Sequence, residues 1–338
     1  MTQLGFDLDE LPPFGPDELV ALLGVPFSDE QMDAITAPLE PCVVVAGAGS
    51  GKTTVMTARV VWLVATGQVQ PEQVLGLTFT TKAAGELSSR VRAAVQRFSD
   101  RVSGRPLDEI GEPTVATYHA FAGRLIAEHG LRIGVEPGAR LLGEAASVQL
   151  AHRVVTRTAR DLSTLGYAVS TIVESVRSLD SELAEHCLGP AELREHDLAV
   201  VAEVDAEAKP SADSLRMRTA ALTRIELSHL VEEFRAARAA RDLVDFSDQM
   251  RFGARLAEEC PDVGAALREQ FRVVLLDEYQ DTSVSQRRLL AGLFGGGHPV
   301  TAVGDPLQAI YGWRGASVAN IDRFPQHFAR ADGRDAPS

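Results

Sequence analysis

Short β-branched runs and amphipathic stretches alternate through the first third of the chain. PCVVVAG (41–47) runs into a glycine-rich turn, and GKTTVMTARVVWLVATG (51–67) after it has helical character. The pattern repeats in QVLGLTFT (73–80) with TKAAGELSSRVRAAVQRF (81–98), and in TVATY (114–118) with HAFAGRLIAEHG (119–130). Strand followed by helix, over and over, predicts a parallel sheet covered by helices. From about 144 to 260 the strand runs disappear and Ala-, Leu-, Arg- and Glu-rich stretches take over. Within 215–244 the apolar residues Leu222, Ile225, Leu227, Leu230, Val231 and Phe234 recur at helical spacing. The acidic, proline-broken stretch 189–213 reads as a surface loop. FRVVLLDE (271–278), SVSQRRLLAGLF (283–294) and HPVTAVGD (298–305) then restore the first texture. The expectation is one α/β domain over 28–143 and 261–326, interrupted by an all-helical subdomain over 144–260. An acidic N-terminal segment over 1–27, with DELVALLGV as a short helix, precedes it, and a tail over 327–338 follows.

Composition adds limits. With 338 residues, 45% hydrophobic and 24% charged, the chain can bury a substantial core. No apolar run approaches the ~20 residues that span a bilayer. The first 40 residues contain no Lys or Arg, which fits neither a secretory signal nor a transit peptide, so a soluble cytoplasmic protein without a membrane partner is expected. Cys42, Cys187 and Cys260 are far apart and odd in number, as in a reducing compartment, and read as small hydrophobes. The net charge of −14 would argue against a nucleic-acid partner, but residues 1–40 and 174–207 carry −17 of it and the remainder is +3. Local basic footprint, not whole-chain charge, decides phosphate binding.

AGAGSGKT (46–53) follows a β-branched strand and opens a helix, the context a phosphate-binding loop requires. Backbone N–H groups of Ala46, Gly47, Ala48, Gly49, Ser50 and Gly51 must wrap the phosphates closely, and the three glycines permit this. Lys52 places a cation on the β- and γ-phosphates, and the Thr53 hydroxyl is suited to ligate Mg²⁺. VVLLDEYQD (273–281) supplies the matching carboxylates: Asp277 to hold the metal, Glu278 to orient or deprotonate water. A nucleotide carrying β- and γ-phosphates, with Mg²⁺, is therefore the expected ligand.

These strings, with LTFTTKAAGELSSRV (77–91), TYHAF (117–121) and VGDPLQAIYGWRGA (303–316), occur in the order of the motifs of superfamily-one DNA helicases. The chain resembles the UvrD, PcrA and Rep branch of that family from about residue 27 to 316. The resemblance implies a RecA-like P-loop NTPase domain with a helical insertion and the activity of a DNA-dependent ATPase, so that the nucleotide is ATP. It implies that Gln31, in a stretch with Ser28 and Ala34, reads the adenine edge, and that Gln308 contacts the γ-phosphate and couples it to DNA. Phe79, Thr80 and His119 are similar to DNA-facing positions, with Phe121 beside them. Tyr311, Trp313 and Arg314 are similar to the segment on which bases stack. Phe79 and Phe121 also fit a plain core role, Phe121 more readily; Trp62 reads as core. LVDFSDQM (243–250) resembles a family stretch in which Asp245 and Asp248 cap or brace a helix, without chemistry.

Thr81 stands where Asn is usual, Ala46 where Gly is usual, and Pro306 and Leu307 where acids are common. Nothing in the chain resembles motifs IV to VI. In the family these belong to a second RecA-like domain that supplies arginines to the γ-phosphate. The expectation is the ATP-binding half of a 3′→5′ helicase or translocase of repair or recombination, acting on single-stranded DNA and duplex junctions, with slow hydrolysis and no unwinding by itself. The alternatives are an ATP-gated DNA- or partner-binding module without turnover, and one subunit of a RecBCD- or AdnAB-like complex with a second helicase or nuclease subunit.

Overall fold

The computed structural model describes residues 14–102, 111–136, 138–162, 165–310, 312, 316–317 and 319–337. Among them seven strands form two parallel sheets. They are β1 (Cys42–Val45), β2 (Val74–Thr78), β3 (Thr114–Thr117), β4 (Arg140–Leu141), β5 (Leu243–Val244), β6 (Val273–Leu276) and β7 (Val300–Gly304). The main sheet has the order β1-β7-β6-β2-β3, and β4 pairs with β5 alone. Val44 lies opposite Val303, Leu275 opposite Thr301, and Gly76 opposite Leu275. β2, β6 and β7 are buried throughout, which explains why they read as unbroken apolar runs rather than alternating ones. Because all five strands run the same way, Val45, Thr78, Thr117, Leu276 and Gly304 end along one edge.

The chain is mostly helical. The helices are α1 (Pro16–Leu23), α2 (Asp29–Thr36), α3 (Lys52–Ala65), α4 (Thr81–Val102), α5 (Tyr118–His129), α6 (Glu144–Arg157), α7 (Val169–Glu185) and α8 (Pro190–Asp205). They continue as α9 (Ala212–Ala239), α10 (Phe246–Glu259), α11 (Pro261–Gln270), α12 (Val284–Phe294), α13 (Ala319–Asp322) and α14 (Phe324–His327). None is long and apolar enough to cross a membrane, among the described residues.

Two compact units result. One takes the described residues up to Arg124 and from Ala257 onward; the other, Leu125–Leu256, interrupts it in sequence. In the first, Met56, Val60 and Leu63 of α3 and Leu87, Val91, Val95 and Phe98 of α4 close over Val273 and Leu275. α3 is buried on nearly every face, as a helix against a sheet interior must be when its sequence is apolar all round. The N-terminal segment joins this core through Leu19 and through Phe14, whose ring meets Phe98 edge-on at 5.6 Å and Trp62 at 6.2 Å. In the second unit Leu150, Val155, Ile172, Val176, Leu230, Val231 and Phe234 form a separate core.

The stretch 189–213 is not the surface loop its composition suggests: Pro190–Asp205 is a 16-residue helix. Pro190 occupies its first turn, where no N–H is required and φ is already helical, and the Glu192 carboxylate accepts from Gly189 N. Pro210 falls beyond the helix end. The prolines thus punctuate the helix instead of breaking it.

Two histidines make the sheet-bearing unit acid-sensitive. Burial pushes His298 down to about 4, with a backbone hydrogen bond to Phe271 opposing, and burial also pushes His327 down to about 4. A depressed folded value means the neutral ring is favoured. The stability is complete above the unfolded value near 6.5 and is lost as pH falls from there towards 4. Thermal melts at pH 7.5 and 5 are expected to differ on the order of 2 kcal/mol through His298 alone, and His298→Phe is expected to remove that part.

Candidate nucleotide site

The edge where the strands end gathers the candidate chemistry. After β1, residues 46–51 turn sharply, with Gly49 at φ 75° and Gly51 at φ 83°, conformations that side-chain-bearing residues resist. Ala46 N donates to Gly304 O of the neighbouring strand at 3.0 Å, and the Ser50 hydroxyl donates to Gly47 O at 2.7 Å, closing the loop on itself. Gly51 caps α3, so Lys52 and Thr53 occupy its first turn, where unpaired N–H groups and the helix dipole favour an anion.

β6 is followed directly by Asp277 and Glu278, and β7 lies between β6 and β1. Lys52 Nζ stands 4.0 Å from Glu278 Oε2. Asp277 is buried; its Oδ1 accepts from Glu278 N at 3.1 Å, and its Oδ2 from the Thr78 hydroxyl at 3.4 Å. The buried Tyr118 hydroxyl donates to Asp277 O at 3.2 Å. Burial, then the Glu278 charge, pushes the Asp277 carboxyl up to about 6. Two adjacent carboxylates held this way favour a cation between protein and ligand. One carboxylate, a hydroxyl such as that of Thr53 and a nucleotide's own oxygens suit Mg²⁺. No group of three or more His, Cys, Asp or Glu side chains converges as a metal cage among the described residues.

Glu278 itself has φ 51° and ψ 40°, left-handed backbone for a residue with a Cβ. Gln280 accounts for how this is held. Its Nε2 donates to Glu278 Oε2 at 2.9 Å, while its Oε1 accepts from Asp305 N at 3.0 Å. Asp305 in turn accepts from Gln308 Nε2 and from Leu307 N, and these bonds, Gln308's first, hold its carboxyl below its ordinary value. A Cβ on Gly47 would come within 4.0 Å of Asp305 Oδ2, so Gln308 is tethered beside the phosphate-type loop. Asp281 Oδ1 accepts from Ile310 N at 3.1 Å, continuing the ties between the two segments.

Gln280 and Asp305 are the site residues that sequence reasoning missed. Both lie inside strings singled out above, but their roles follow from β6 lying beside β7, which the sequence does not show. Gly304 belongs with them: a Cβ there would collide with Gln280 Oε1 and lie 2.8 Å from Ile321 Cδ1. Gly304→Ala is expected to displace Gln280, misplace Glu278 and lower nucleotide turnover roughly tenfold or more, with the fold retained by circular dichroism.

Of the remaining candidates, Gln31 donates from Nε2 to Ser50 O at 2.8 Å and accepts from Ser28 N at 2.9 Å, which places it against the loop. Thr80 is exposed, and its hydroxyl accepts from Ala83 N as an α4 cap. Phe79 is half-buried, edge-on to Tyr118 at 5.0 Å, and His119 is half-buried at the start of α5. Phe121 is core, stacked on Phe294, and Trp62 packs against the core. Tyr311, Trp313 and Arg314 lie outside the described residues. Asp245 caps α10, accepting from Asp248 N at 2.7 Å, and both carboxylates hold Arg238.

Comparison with known proteins identifies the family. The family model described as the UvrD/REP helicase N-terminal domain matches residues 27–329. The ATP-dependent DNA helicase UvrD2 of Mycobacterium tuberculosis is 32% identical over 321 residues, covering 93% of this chain and 41% of its own length. The ATP-dependent DNA helicase PcrA of Leuconostoc citreum is 29% identical over 305 residues, 90% of this chain and 36% of the relative. DNA helicase II of Haemophilus influenzae is 26% identical over 302 residues, 89% and 37%. The chain thus spans about two-fifths of the length of the curated relatives it matches. With the match running through both parts of the main sheet and the helical unit between them, the chain belongs to the UvrD/REP helicase N-terminal domain family.

Proposed function

We propose that this chain supplies the ATP-binding, RecA-like part of an ATP-dependent 3′→5′ DNA helicase or translocase. The observation that carries the reading is the meeting of Lys52, from the glycine loop, with Glu278 at 4.0 Å on the carboxyl edge of the sheet. Loop N–H groups and Lys52 bind the β- and γ-phosphates; Thr53 and Asp277 hold Mg²⁺. When bound there, Mg²⁺ would supply neutralisation of the phosphate charge. Glu278 orients and deprotonates the attacking water. Gln280 fixes the Glu278 carboxylate, and Gln308, tied to Asp305, is placed to sense the terminal phosphate. The helical unit, Leu125–Leu256, is read as the counterpart of the insertion expected over 144–260, although it begins earlier in the sequence than that expectation.

DNA enters the reading through family membership and through the exposed positions near that edge, Thr80 among them. The proposed substrate is single-stranded DNA at duplex junctions, in repair or recombination, in the cytoplasm. A second helicase or nuclease subunit is a further candidate partner. A module without turnover is the weaker reading, because Lys52, Asp277 and Glu278 are all in place. Steady-state ATP hydrolysis with and without single-stranded DNA, against Lys52→Ala as blank, tests the proposal. DNA-stimulated turnover lost in Lys52→Ala supports it; turnover that survives Lys52→Ala contradicts the assigned site.

A further inference from the structure

Arg59 lies on α3, seven residues and about 10 Å of helix beyond Lys52. It is 1% exposed and has no role in the site described above. Its guanidinium faces the C-terminal end of α2. Nη1 donates to the carbonyls of Ala34 at 3.2 Å, Ile35 at 3.1 Å and Ala37 at 2.8 Å, and Nη2 to that of Pro38 at 3.1 Å. Nε donates to the Thr301 hydroxyl on β7 at 3.0 Å. A helix ends in carbonyls without intrahelical partners and in partial negative charge. One buried cation satisfies both needs here, and it ties that end to the sheet as well.

The opposite end of α2 carries Gln31. Its Oε1 accepts from Ser28 N and its Nε2 donates to Ser50 O, so each atom keeps one valence open. A planar amide with one donor and one acceptor free is the group that pairs with N6 and N7 of adenine. Guanine presents O6 where adenine has its amino group, so the acceptor of Gln31 would meet another acceptor. The discrimination depends on the setting of the amide, and hence on where the two-turn helix is held. Arg59 grips the far end of that helix from the same helix that presents Lys52.

We propose that Arg59 is a positioning residue for base selectivity: it fixes α2 so that Gln31 faces the purine while Lys52 holds the phosphates. This rests on the reading of Gln31 as the adenine contact. Lysine cannot replace it, because a compact ammonium lacks the fork that spans four carbonyls and Thr301 together.

The test measures binding of ATP, GTP and inorganic tripolyphosphate, each with Mg²⁺, to the full chain. The variants are Gln31→Ala, Arg59→Lys, Thr301→Val and the double variant Gln31→Ala/Thr301→Val. Thr301→Val is isosteric; it removes the Nε tie and the 3.5 Å contact of the Cys42 thiol with the same hydroxyl but leaves the four carbonyl ties of Arg59, so it keeps the test open if Arg59→Lys fails to fold. Gln31→Ala is expected to lower the preference for ATP over GTP about tenfold. Arg59→Lys and Thr301→Val are expected to lower it roughly threefold or more with tripolyphosphate affinity unchanged, and Thr301→Val to add nothing once Gln31 is gone. Equal losses for all three ligands would assign Arg59 to structure alone and overturn the proposal. Preference lost in Gln31→Ala yet intact in both other variants would overturn it while sparing the Gln31 reading. Preference intact in Gln31→Ala would overturn both.

Discussion

Glu278→Gln is expected to lower ATP turnover roughly 10²- to 10⁴-fold while leaving MgATP affinity within about threefold. The amide keeps the shape and can still accept from Gln280, which now donates to Glu278 Oε2 at 2.9 Å, but it cannot take a proton from water. Phosphate binding is assigned to the loop and Lys52, and metal binding to Thr53 and Asp277, so the substitution leaves both intact. It removes the carboxylate 4.0 Å from Lys52, which works slightly in favour of nucleotide binding. Turnover in single-turnover assays at saturating ATP separates the two effects. A variant within a few-fold of the native rate would mean that another group activates water. Loss of affinity equal to the loss of rate would mean that Glu278 belongs to the binding apparatus.

Arg238→Ala is expected to destabilise the helical unit by about 3–5 kcal/mol. Arg238 is 2% exposed, and its guanidinium meets Asp180 at 2.6 Å, Asp248 at 3.4 Å and Asp245. Its plane also lies 4.7 Å from the centre of the Phe234 ring, within the core of that unit. Arg235 still reaches Asp180 at 2.6 Å, and Arg251 still reaches Asp248 at 3.0 Å, so the neighbouring pairs outlast the substitution. What is lost is the cation common to three carboxylates on α7, on α10 and at its cap. Burying a charge whose partner has been deleted costs far more than an exposed pair is worth. Urea denaturation should show the midpoint of the helical unit falling while nucleotide binding persists. A change below about 1 kcal/mol would mean that water reaches the cluster and screens it.

The strands and most helices were legible because this sheet buries both faces. Val43, Val274 and Val303 need no alternation, and their runs end in the residues that carry chemistry. The loop from Ala46 to Thr53 and the Asp277–Glu278 pair could be read from spacing alone, since glycine before lysine and acids after a buried strand have few other reasons to occur together. Strand order could not be read. That β7 lies between β1 and β6 is a long-range pairing, and with it went the roles of Gln280, Gly304 and Asp305. The difference at 189–213 has a local cause, since a proline that composition alone reads as a breaker occupies a first helical turn. The role of Arg59 is not legible in the sequence: its carbonyl partners come from residues 34–38, and only packing brings them to it.

The central claim is that the loop after β1 and the carboxylates after β6 form one nucleotide site. Calorimetric titration of the native chain with ATP, in Mg²⁺ and in excess chelator, tests it most directly, with Lys52→Ala and Asp277→Asn alongside. The account predicts saturable binding that weakens without Mg²⁺ in the native chain. It also predicts binding at least tenfold weaker in Lys52→Ala, and insensitive to Mg²⁺ in Asp277→Asn. Native-like, Mg²⁺-dependent binding in both variants would contradict it.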